Sequence, residues 1–269
     1  MINDITFGQY FPTNSFIHKL DSRTKILLLI VFIVFCFISS NLFSLCSYLL
    51  FLLAIMLISK IPLKMYLKNV KAILPIIILT SVLNAFYVTT GKILLDWWII
   101  TVTVDGIMRA VFMSIRIIML IIASAVFSYT TTPTSITNAI ESLLSPLKYL
   151  GLKNAVHTLA MTMTIALRFI PTLIEETNKL MNAQKARGAD MESGGLVKRV
   201  KALLPILIPL IISSVRRAYE LAESMECRCY NGGEGRTKYV VMKYSGRDLV
   251  SFVVVFCVSA VVILLNILF

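Results

Sequence analysis

Two arginines carry the most pointed chemistry in this sequence. Arg187 lies in Asn182–Asp190, NAQKARGAD, and Arg228 in Glu223–Gly233, ESMECRCYNGG. Each stands between small residues, Ala186 and Gly188 in the first case, Cys227 and Cys229 in the second, at the expected end of a long helix. A helix C-terminus carries partial negative charge, so a cation there is stabilised by roughly 0.3–1 kcal/mol, which by itself accounts for either arginine. The small neighbours add a second property. They let the guanidinium protrude, and its rigid fork of donors suits carboxylates and backbone oxygens in a groove. Two such ends together suggest a bivalent plug into two soluble partners.

The other reactive side chains assemble no catalytic centre. Intramembrane hydrolases and transferases need acidic pairs, histidine clusters or activated nucleophiles at depth. No Asp or Glu falls inside an expected span except Asp248 at the very edge of the last, and the two histidines, His18 and His157, read as interfacial. Cys227 and Cys229 form a Cys-X-Cys, but two thiols without a nearby histidine make a poor metal site, so they read as small helix-end residues. There is no phosphate loop of the Gly-Lys-Ser/Thr type. No cofactor and no metal are implied.

The elements that must position the arginines are mostly apolar. Of 269 residues, 58% are hydrophobic, and the mean hydropathy is +0.84. This is the composition of a polytopic membrane protein. The net charge of +12 is concentrated between apolar segments, as the positive-inside bias requires, and not on a basic nucleic-acid-binding face. Five cysteines, three of them in apolar runs, argue against a disulfide framework. The N-terminal segment before Ser22 lacks the apolar core of a cleavable signal peptide.

The first 25 residues are polar and aromatic, with His18, Lys19, Arg23 and Lys25 marking a cytoplasmic side and Asp21 or Ser22 expected to cap the first helix. Spans are expected at about 26–40, 42–58, 72–88, 106–129 and 248–268. Lys60, Lys64, Lys68 and Lys71 form a one-faced basic cytoplasmic loop ahead of the third span. The alternation in WWIITVTV hints at a short external strand or a re-entrant piece. Arg109 and Arg116 share a face of the fourth span, and the plainer reading makes them structural, bonded to helix ends. A helix of about 134–150 follows, capped by Thr134 or Ser135.

Two long helices, about 155–188 and 197–230, begin apolar and end charged. Arg168 and Pro171 interrupt the first apolar stretch, while the second is short and holds two prolines, so both are expected to lie on or under the cytoplasmic leaflet. Apolar seams at Leu173, Thr177, Leu180, Met181 and Gln184, and at Val215, Ala218, Ala222, Met225 and Cys229, suit one helix crossing the other. The two are a weak internal repeat, with the arginines 41 positions apart. The fold class is therefore all-α, a polytopic membrane protein of about five transmembrane helices plus long crossed cytoplasmic helices. Three regions follow: 1–130 with four spans, 131–247 cytoplasmic, and 248–269 as a C-terminal span.

Several stretches resemble one family. The two arginine endings resemble the paired Ala-Arg-Gly-type motifs of the T component of energy-coupling-factor (ECF) vitamin transporters. GQYFPTNSFIHKLDSRTKILL, TTPTSITNAIESLLSPLKYLGL, LRFIPTL and MECRCYNGGEGRTKY also read as segments of that family. The second motif departs from the usual small residues by placing cysteines around Arg228. The resemblance implies a non-catalytic transmembrane scaffold in the cell membrane. Arg187 and Arg228 would each dock in one of two ABC ATPase subunits, with Ala186, Gly188, Cys227 and Cys229 completing the coupling ends. A small membrane S component, bound on the apolar faces, would capture the vitamin. The related alternative is the transmembrane subunit of a cobalt or nickel importer. Alternatives of other classes are an intramembrane enzyme and an autonomous channel or carrier.

Overall fold

Long uncharged runs interrupted by short polar breaks give a helical architecture. In the computed structural model, residues 10–87, 93–97, 100–146, 153–189, 195–232 and 242–268 are described. The helices are α1 (Ser22–Ile38), α2 (Leu42–Ser59), α3 (Leu63–Tyr87), α4 (Val104–Thr130), α5 (Pro133–Leu143), α6 (Lys153–Ala186), α7 (Leu196–Glu226) and α8 (Gly246–Leu268). Between α3 and α4, strands β1 (Ile93–Trp97) and β2 (Ile100–Thr103) pair antiparallel, with Asp96 opposite Thr101 and Trp97 opposite Ile100. The strand expected from WWIITVTV is thus one arm of a hairpin; Trp98 and Ile99 lie outside the described residues.

Local chemistry sets the helix ends. Asp21 caps α1, its Oδ1 accepting from the Arg23 amide at 2.9 Å, and Arg23 returns an ion pair to Oδ2 at 2.8 Å. Lys60 ends α2 in the left-handed conformation, at φ 56°. The basic loop expected beyond it is largely helical instead. Lys64, Lys68 and Lys71 sit in the first turns of α3, which runs through Pro75 without a break between loop and span. The cap of α5 lies two residues before the earlier of the two expected ones: Thr132 Oγ1 accepts from the Ser135 amide at 3.3 Å, with Pro133 as the first helical residue. The expected end of that helix, at about 150, lies outside the described residues.

Six helices among the described residues are long and apolar enough to cross a membrane: α2, α3, α4, α6, α7 and α8. At 17 residues, α1 is shorter than all six. The apolar stretch of α7, expected to be too short for a span, belongs to one 31-residue helix that carries Pro205 and Pro209 inside it.

The chain divides into two compact units, residues 8–136 with 240–269, and residues 1–7 with 137–239. The first is a bundle of α1, α2, α4 and α8 around Cys36, Leu45, Tyr48, Leu52, Met119 and Val262. In lipid, such a core gains from close packing and interhelical hydrogen bonds more than from apolar burial. Tyr48 and Ser259 supply one such bond at 3.1 Å, joining α2 to α8. Leu79 and Leu83 on α3 and Val253 and Ile267 on α8 remain exposed, as side chains facing lipid do.

Polar ties close both ends of α1. At its start, fully buried Asp248 of α8 accepts from the Asp21 amide at 2.9 Å and from the Ser245 amide at 2.7 Å. Lys25 is buried as well, its Nζ donating to Thr130 O at 2.8 Å and His18 O at 3.3 Å, so it ties the bundle. At the other end, Asn266 of α8 donates to Ile38 O at 2.8 Å and accepts from the Ser40 amide at 3.2 Å. Arg116 of α4 donates to Ser39 O at 2.6 Å, the helix-end role expected for it.

His18 belongs to this framework too. Its Nε2 faces Phe11 O at 2.9 Å, which can only accept, so Nε2 carries the proton and Nδ1 accepts from Ser15 Oγ at 2.7 Å. Burial lowers its pKa from the ordinary 6.5, against the bond to Phe11 and with help from the Lys25 charge.

Candidate functional site

The two arginines occupy equivalent helix ends, and the backbone bonds define the equivalence. At the end of α6, the Gly188 amide donates to Lys185 O at 3.0 Å and the Ala189 amide to Gln184 O at 3.0 Å. At the end of α7, the Cys229 amide donates to Glu226 O at 2.8 Å and the Tyr230 amide to Met225 O at 3.1 Å. Each is the crossed pair of bonds of a Schellman motif, which satisfies the last carbonyls of a helix by turning one residue left-handed. That residue is Gly188 at φ 80° and Cys229 at φ 54°. Arg187 and Arg228 each immediately precede it.

Both arginines are exposed, as are Ala186, Gly188, Cys227 and Cys229. Among the described residues neither guanidinium has a hydrogen-bond or ion-pair partner. The glycine has open space around the position of a Cβ, so its identity is required by backbone conformation and not by crowding. Cysteine at 229 adopts the same conformation against the steric preference of an L residue.

α6 and α7 pack on one another antiparallel. Glu176 of α6 meets α7 twice: Oε1 accepts from Ser213 Oγ, and Nη2 of Arg217 lies 3.0 Å from Oε2, an ion pair off the axis of a hydrogen bond. Further along, Met161, Ile165 and Arg168 of α6 line a groove of about 590 Å³ with Leu221, Met225 and Arg228 of α7. Residues early in α6 thus meet residues late in α7. The antiparallel pairing does not bring the arginines into one site; it sends them to opposite ends of the pair. Each lies eleven residues beyond the clasp, from Glu176 to Arg187 and from Arg217 to Arg228. At 1.5 Å per residue the two are separated by on the order of 30 Å along the helices.

The expected seam needs correction on α7. Val215 is 49% exposed, and Ala218, Ala222 and Cys229 are exposed too. The half-buried stripe is Ser213, Ser214, Arg217, Leu221 and Met225. On α6, Glu176 is half-buried alongside the seam residues Leu173 and Thr177. Apolar residues face the partner helix only in part, at Leu221 and Met225. On α7 the apolar side chains Leu207, Ile211 and Val215 point outward, and polar groups meet across the pair. Arg168 was read only as an interruption; the structure adds it to the groove that holds Arg228.

The profile of the CbiQ family, described as cobalt transport protein, matches residues 13–239. Among curated relatives, the energy-coupling factor transporter transmembrane protein EcfT of Acidaminococcus fermentans is 48% identical over 248 residues, 92% of this chain and 91% of its own. Those of Clostridium kluyveri and Ruminiclostridium cellulolyticum are 47% and 46% identical, covering 96% and 93% of this chain and 97% and 92% of theirs.

The chain belongs to this family of energy-coupling factor transmembrane components.

With that family goes a multi-pass protein of the cell membrane, in keeping with its apolar helices. The recognised segments lie almost entirely inside the matched region, and the two arginine ends fall within it. Among the described residues no group of three or more His, Cys, Asp or Glu gathers as a metal site.

Proposed function

We propose that this chain is the non-catalytic energy-coupling scaffold of an ECF-type importer for a vitamin or similar micronutrient. Arg187 and Arg228 each dock in one of two ABC ATPase subunits on the cytoplasmic side, framed by Ala186 and Gly188 and by Cys227 and Cys229. Residues 131–247 form the coupling region, flanked by the spans in 1–130 and 248–269. ATP-driven movement of the ATPases passes through α6 and α7 to a small membrane S component seated on their apolar faces.

One observation carries this reading: two helices end in the same hydrogen-bonded turn, each presenting an exposed guanidinium that has no partner among the described residues. The relatives' name supports the ECF form over the cobalt form of the alternative.

The test is alanine replacement of Arg187 and Arg228, singly and together, with capture of the chain in mild detergent. The double variant is expected to remain membrane-inserted and to lose the ATPases and uptake. Retention of both ATPases by the double variant, or turnover of a lipid or peptide by the chain alone, overturns the proposal.

A further inference from the structure

The offset of 41 that separates the arginines also separates Glu176 from Arg217. The two residues that meet across the helix pair are therefore the same position in the two repeats. In an antiparallel pair of related helices, only residues on the pseudo-twofold axis meet their own equivalents. The clasp marks that axis. Had duplication left the position unchanged, two like charges would face each other there. Instead the position is Glu in one copy and Arg in the other, and the neighbouring Glu175 and Arg216 are inverted likewise. Ile165 and Ile206, Leu180 and Leu221, and the arginines themselves are the same in both copies.

The arms are matched as well. Residues 177–186 and 218–227 contain neither proline nor glycine, whereas Pro171, Pro205 and Pro209 all lie on the N-terminal side of the clasp. Proline removes an intrahelical bond and allows bending, so each helix is stiffest between clasp and arginine.

We infer that Glu176 and Arg217, with Ser213, are positioning residues that pin α6 and α7 at the midpoint between the coupling arginines. The pin keeps the two arms equal, so a push on either arginine turns the pair about one fixed point and does not slide one helix along the other. This rests on the docking role of Arg187 and Arg228 given above. Glu176 and Arg217 touch neither partner groove and act only through the arms.

The test is a charge exchange in the assembled transporter, reading substrate uptake per ATP hydrolysed. Glu176→Arg sets two guanidiniums together and is expected to lower that ratio about tenfold while the ATPases stay bound. Glu176→Arg combined with Arg217→Glu is expected to return it to within about twofold of the parent. Glu176→Gln, which keeps the shape and the bond from Ser213, is expected to fall between. If Glu176→Arg does not assemble, recovery of assembly in the exchanged protein together with the intermediate ratio of Glu176→Gln supports the pin. A normal ratio in Glu176→Arg, or failure of the exchange to rescue, overturns it. Loss of ATPase binding in the double arginine variant alongside either of those results would leave the docking reading standing and remove the pin alone.

Discussion

Replacing Asp248 by Asn changes one atom in a place where both carboxylate oxygens are engaged. Asp248 is 2% exposed. Its Oδ1 holds the Asp21 amide at 2.9 Å and its Oδ2 the Ser245 amide at 2.7 Å. A carboxamide keeps one acceptor and turns an NH₂ group toward the second amide. That leaves one buried backbone donor unsatisfied, at about 1–3 kcal/mol. The surviving bond loses its charge assistance, worth about 1 kcal/mol more. Asp248→Asn is therefore expected to cost about 2–4 kcal/mol, and Asp248→Ala, which strands both amides, about 3–5 kcal/mol. Unfolding of the detergent-solubilised chain by a denaturing detergent, followed by helix content, reads the difference. Thr162→Ala is the control: it removes only an exposed hydroxyl bonded to Thr158 O, and is expected to change stability by less than about 0.5 kcal/mol. Asp248→Asn within about 0.5 kcal/mol of the parent would refute the account of α8 as an anchor for α1.

Cys229→Gly should stabilise the end of α7 by about 1 kcal/mol in the same titration, because glycine adopts φ 54° without the steric cost that cysteine bears. Arg116→Met should cost about 1–3 kcal/mol by stripping the donor from Ser39 O, and Asn266→Leu a similar amount. Their effects should fall short of additive, since both hold one turn. His18 is neutral in the fold and its pKa is lowered, so the unfolded chain takes up a proton first. Stability is then full above pH 6.5 and is lost as the pH falls through 6.5 toward the lower folded value; His18→Gln should flatten that slope.

Much of the helical frame is legible in the sequence because uncharged runs and their breaks are unambiguous. α2 and α4 begin and end within two residues of expectation, and Asp21 caps α1 as its side chain requires. The arginine ends were visible from their small neighbours, and Gly188 signals its left-handed turn directly. Cys229 carries no such signal; only the matching hydrogen bonds reveal that it plays the same part. The spacing of Lys64, Lys68 and Lys71 shows that they share one helical face, but not that their helix runs on unbroken into the third span. The α7 seam was missed for a deeper reason. Periodicity tells which residues share a face, but not whether that face meets a neighbouring helix or the surroundings. On α7, Ser213 and Arg217 are half-buried against α6 while Ile211 is exposed.

The grip of α8 on both ends of α1 has a consequence for how the bundle is made. Asp248 and Asn266 reach residues more than two hundred positions earlier in the chain. As the chain leaves the ribosome, α1 enters the bilayer with the Asp21 amide unclaimed and the Ile38 carbonyl held only by the neighbouring Ser40 hydroxyl. It waits there while α2 to α7 are synthesised. Only the arrival of α8 closes both contacts at once, so assembly of this bundle is a late, single locking step, and any interval before it is a window for quality control to act.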